Sequence, residues 1–108
     1  MDEQHLDLYR TARSNLAALD DTLPAASLVD YSSVLLELDD LHGDQRFPAT
    51  VPVEVVDRES MFTTARDAMD QLGDYGVDLL GLELCIAALE SAWETDKATG
   101  GRGRAEIA

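Results

Sequence analysis

His5 and His42 are the only histidines in the chain, and each stands three residues after an aspartate. Asp2-x-x-His5 and Asp39-x-x-His42 are the nearest equivalents here to the Glu-x-x-His pairs with which helical proteins hold two metal ions. If the first two helices form an antiparallel hairpin turning near Pro24, the start of one and the end of the other share an end, and all four side chains converge there. Three features oppose a metal site: Asp2 and His5 sit at a terminus that frays, His42 abuts Gly43, and aspartate is too short to replace glutamate easily. Solvated helix-end residues are therefore the expectation, with no metal and no cofactor.

The other groups that do chemistry are sparse. Cys85, the single cysteine, cannot form an intramolecular disulfide. In an apolar helix with no histidine near it in sequence, it reads as a small buried hydrophobe rather than a nucleophile. There is no Gly-rich phosphate loop, no paired-cysteine motif and no Ser-His-Asp order. No catalytic residue is assigned, and the expectation is a protein that is not an enzyme.

Two arginines have a repeated setting. Sliding the chain against itself by 53 residues aligns Tyr9-Arg10-Thr11-Ala12-Arg13 with Phe62-Thr63-Thr64-Ala65-Arg66, and Leu36-Glu37 with Leu89-Glu90; seven of the 29 pairs from 9/62 to 37/90 are identical. This reads as a duplicated helical hairpin. An arginine leaning toward its own helix N-terminus brings Arg13 to Glu37 and Arg66 to Glu90, two matched structural ion pairs.

The elements that must position these residues follow from apolar spacing. Leu6, Tyr9, Leu16, Leu19 and Leu23 mark one face of a first helix near 3–22. Pro24 suits a first turn, and Leu28, Tyr31, Val34, Leu35, Leu38 and Leu41 trace a second helix near 25–42 that Gly43 caps. Pro48 and Pro52 interrupt helix in the connector 43–59, where Val51, Val53 and Val55 alternate with other residues in an extended segment long enough to traverse the fold. Ser60 is the candidate N-cap of a third helix, 60–73, carrying Phe62, Ala65, Met69 and Leu72. Gly73-Asp74-Tyr75-Gly76 then breaks it.

The fourth helix, 77–96, has two apolar rows, Leu79, Leu82, Ile86, Leu89 and Trp93 on one and Val77, Leu80, Leu84 and Ala87 on the other. It is expected to be the most buried helix and to share its surplus apolar surface with another chain. The fold class is thus all-α, a four-helix bundle of two similar hairpins (3–42 and 60–96) forming one domain, 1–96. A flexible tail, 97–108, follows.

Composition bounds the function. The chain has 108 residues and a formal charge of -14, from 14 Asp and 8 Glu against seven Arg and the single Lys97. Such a field repels phosphate backbones and anionic membrane surfaces, so the expectation is no direct nucleic-acid or membrane binding through charge. An Asp-rich, Lys-poor chain resembles the proteins of extreme halophiles, whose surface carboxylates keep them hydrated in salt. The longest apolar run, Leu84 to Leu89, is far short of a membrane span, and Met1-Asp2-Glu3-Gln4 has no secretory-signal character. Together these set the expectation of a soluble cytoplasmic interaction module that binds a protein partner or itself, a homodimer before a monomer. Its candidate contacts are Leu79, Leu82, Ile86, Trp93, Val51 and Val53. The alternative is an acidic mimic of nucleic acid that inhibits a DNA- or RNA-binding protein.

Overall fold

The computed structural model describes residues 2–23, 27, 29–43, 47–53 and 57–107, with side chains as far as Ala98. Its elements are four helices, α1 (Glu3–Asp21), α2 (Tyr31–Leu41), α3 (Arg58–Leu72) and α4 (Leu79–Ile107), with a single 3-10 turn, Gly73–Tyr75, after α3. The chain is all-helical, and there is no strand among the described residues.

Local chemistry sets the helix starts. Asp30, not Pro24, opens α2: its side chain accepts from the Ser32 and Ser33 amides and from both serine hydroxyls. An aspartate satisfying two orphan amides outcompetes an earlier start, so α2 is shorter than 25–42. Pro24 and Leu28 lie outside the described residues. Likewise Asp57 caps α3 in place of Ser60, accepting from the Ser60 amide and hydroxyl at 3.3 and 2.8 Å. Gly43 and Gly76 both adopt positive φ, +63° and +86°, which L side chains resist, and so end α2 and the 3-10 turn. At the far end the α4 backbone is helical through Ile107, over residues whose composition predicts a flexible tail; once nucleated, a helix gains one backbone bond per added residue.

Each helix packs mainly on two others: α1 on α2 and α3, and α4 on the same two. The most extensive contact joins α1 to α3, where Tyr9, Ala12, Leu16 and Leu19 meet Ala65, Met69 and Leu72, all fully buried. Neighbours run antiparallel. Gln4 of α1 bonds Tyr75 beyond the end of α3, while Leu19 accepts from Arg58 at its start. Leu41 lies over Gly81 and the Val34 carbonyl accepts from Cys85, which reverses α4 against α2. Residues 47–53 of the connector cross the outer face of α1: Arg13 donates to the Pro48 carbonyl at 2.5 Å and the Val51 amide to Ser14 Oγ at 2.9 Å.

Burial corrects two expectations. The helix α4 is not covered on both rows, because Leu80, Leu84 and Ala87 face outward while Leu82, Cys85, Leu89 and Trp93 enter the core. The gapless offset of 53 also fails in the second helices, since it equates exposed Leu36 with fully buried Leu89. Leu-Glu pairs are common on any amphipathic helix, and this one matched by composition.

Candidate functional site

The convergence of His5 and His42 follows from the antiparallel packing of α1 and α2. Their Nε2 atoms lie 2.9 Å apart in a buried contact, and His42 Nδ1 is 2.9 Å from the Leu38 carbonyl oxygen. A carbonyl only accepts, so His42 carries its proton on Nδ1, its Nε2 accepts, and His5 Nε2–H donates. The Tyr9 ring stacks on His42 with centroids 3.7 Å apart, and Tyr75 closes over His5 at 5.5 Å. Asp39 does not join the imidazoles. It accepts from Tyr9 Oη at 2.5 Å and from Arg13 Nε and Nη2 at 2.9 and 3.2 Å. Among the described residues no group of three or more His, Cys, Asp or Glu side chains is placed to hold a metal.

Burial first, then the neighbouring His42 and the chain's amino group, lower the pKa of His5, against an opposing contribution from Asp2. The sign of the stability effect follows. The unfolded chain takes up the His5 proton near its ordinary value of 6.5 while the folded chain binds it less readily, so stability holds above that pH and falls as pH drops below it. Thermal melts at fixed ionic strength are expected to show this loss between about pH 6.5 and pH 5, above the range where carboxylates titrate, and His5→Gln is expected to flatten it. An unchanged slope in His5→Gln would assign the loss to other groups.

Arg13 pairs with Asp39 and not with Glu37, contrary to the expected pair. On α2 these two acids flank Leu38 by about 100° on either side, and α1 lies on the Asp39 side. Glu37 is exposed and turned toward α4, where its charge adds to burial in pushing the Cys85 thiol up to about 12. A thiol so held is not a nucleophile at neutral pH. Arg66 Nε lies 3.4 Å from Glu90 Oε2, with both side chains half exposed. At the opposite end of the molecule Tyr31 donates to Asp96 at 2.7 Å, and Arg58 joins the same carboxylate. Neither Tyr31 nor Asp96 stands out in the sequence, because their contact spans helices far apart along the chain.

The interface candidates scatter. Leu82 and Trp93 are core residues, 3% and 8% exposed, with Trp93 stacked on Phe62 at 4.9 Å. Inward-facing residues of a helix apolar on two rows are claimed first by its own neighbours, here α3. Ile86 is half-buried beside Arg66, Asp67 and Asp70, Val53 packs on the core edge, and Val51 and Leu79 are exposed. Val55 lies outside the described residues. Among the described residues the large apolar side chains left open on the helices are Leu36 (65%), Leu79, Leu80 (67%) and Leu84 (62%). Leu80, Leu84 and Ala87, spaced four and three, form one stripe on the outer side of α4, away from the core row. Exposed Glu83 flanks it on α4, and exposed Glu37 and Asp40 lie on the neighbouring helix α2.

A second property marks this face. No Lys or Arg occurs between Arg13 and Arg46 or between Arg66 and Lys97, so α2 and the first five turns of α4 carry carboxylates alone. That gap in the basic residues was legible in the sequence, and it is the signal that would have singled out this face. No helix among the described residues is long and apolar enough to cross a membrane. No protein family, curated protein or solved structure matches this chain.

Proposed function

We propose that the chain is a non-enzymatic protein-interaction module, an adaptor, accessory subunit or scaffold, whose contact surface is the outer face of α2 and α4. The observation that carries this reading is the exposure of Leu80 and Leu84 together on one stripe of α4. Exposed apolar surface rimmed by polar groups marks interaction sites in soluble proteins. The buried polar clusters support the same reading, since Arg13–Asp39 and Tyr31–Asp96 join helices to each other.

In this reading the four helices form a bundle of two hairpins related by duplication. Buried positions support that relation at an offset of 53 for α1 and α3, as in Ala12/Ala65, Leu16/Met69 and Leu19/Leu72. They support it at 51 for α2 and α4, as in Tyr31/Leu82, Val34/Cys85, Leu38/Leu89 and His42/Trp93. Acid on the remaining surface serves hydration.

The double variant Leu80→Ser/Leu84→Ser tests the reading. Because both positions are exposed, its stability is expected to stay within about 0.5 kcal/mol of the parent per site. Affinity purification from the native cell at native salt should recover a protein with the parent chain that the variant fails to hold. Equal recovery by both would remove the leucine stripe from the contact.

A further inference from the structure

We infer that the α2–α4 face binds a cationic amphipathic helix of a partner protein, an inference that rests on the interaction reading above and names its partner class. The stripe Leu80, Leu84 and Ala87 covers about 10 Å along α4 and is one side chain wide. Such a stripe fits the apolar row of a helix with residues at i, i+3 or i+4, and i+7. Its flanks decide the rest. Glu37 and Asp40 lie on α2 and Glu83 on the other flank of the stripe, all exposed; α2 and α4 carry no Lys or Arg as far as Asp96, and Arg66 of α3 is already paired with Glu90. A helix seated on the leucines therefore lays its polar edges along carboxylates on both sides, which favours Lys and Arg there and rejects acid.

A second copy of this chain is a poor occupant. A two-fold dimer through this face would set Glu37, Asp40 and Glu83 against themselves with no cation between them. Docking another of the described faces of the chain onto it meets the same shortage. Among the described side chains every basic residue already has a carboxylate partner: Arg10 with Asp7, Arg13 with Asp39, Arg58 with Asp96, Arg66 with Glu90 and Lys97 with Glu94. Nucleic acid is repelled. Charge alone does not define the occupant either, because leucines at the centre of an acidic face do nothing for a partner that reads only carboxylates.

The experiment uses the full chain and two synthetic peptides of about 18 residues with identical Leu, Ala, Lys and Arg content, one with its leucines on a single helical face and one scrambled. Binding is followed by anisotropy of the labelled peptide at low and high salt. The amphipathic peptide is expected to bind at least about tenfold more tightly than the scrambled one, and Leu80→Ser/Leu84→Ser to lose about tenfold. Glu37→Gln/Asp40→Asn/Glu83→Gln is expected to weaken binding at low salt and to reduce its salt dependence. Equal binding of both peptides, unaffected by the leucine substitutions, would overturn the inference in favour of acid acting alone, as in nucleic-acid mimicry. Binding of neither peptide overturns it as well. If light scattering then gives a dimer mass that the leucine variant lacks, or the native-cell capture still depends on the leucines, the interaction reading stands and only the cationic helix is lost.

Discussion

Asp39→Ala is expected to destabilise the protein by roughly 3 kcal/mol, lowering the melting temperature by on the order of 10–20 °C. The size follows from what the carboxylate holds. Arg13 and Asp39 are both largely buried, and the guanidinium engages both carboxylate oxygens in a bidentate pair. Removing the carboxylate leaves a buried cation with one remaining bond, to the Pro48 carbonyl, and its stack over Phe47 at 4.2 Å. It also strips the Tyr9 hydroxyl of its acceptor. An uncompensated buried charge is the costly case, whereas loss of a single neutral bond costs about 1 kcal/mol. Tyr9→Phe, which keeps the stack on His42 but loses one bond to an ionised carboxylate, is the matched control and is expected to cost about 1.5 kcal/mol. Urea midpoints at constant slope check both. Equal, small losses in the two variants would mean that Arg13 finds water or another acceptor.

How much of this was legible before the structure differs by element. The stripes of α1 and α3 were readable because their apolar residues recur at three and four and fall on one face, and those residues form the most extensive packing in the fold. The start of α2 was misplaced because Pro24 and the Leu28 stripe permit helix earlier, and only the competition won by Asp30 settles it. Hairpin geometry alone brings His5 and His42 to one end, but the expectation of solvated helix-end residues fails, because each imidazole covers the other and both are buried. The partner of Arg13 was not legible, since Glu37 and Asp39 flank Leu38 symmetrically and the choice depends on which side of α2 receives α1, a matter of tertiary handedness.

The open face was missed for a related reason. Two apolar rows on α4 look alike in sequence, and which one enters the core is decided by where α2 and α3 come to lie. Their neighbours, once known, separate them: Leu82, Cys85 and Leu89 are enclosed, and Leu80 and Leu84 are left exposed.

That separation makes Trp93 a test of the core. Trp93→Ala is expected to cost about 3–5 kcal/mol, the range for truncating a large buried aromatic. The ring is 8% exposed and stacks on Phe62 at an interplanar angle of 7°, so truncation opens a cavity between α3 and α4 and removes an aromatic pair besides. Phe62→Ala, at a partly buried position, should cost less. The double variant should cost less than the two losses combined, because the same contact is removed only once. Denaturant titration of the three variants measures the coupling. Were Trp93 part of an intermolecular contact, Trp93→Ala would leave the unfolding midpoint unchanged at low protein concentration and alter only association; a large concentration-independent loss assigns it to the interior of this chain.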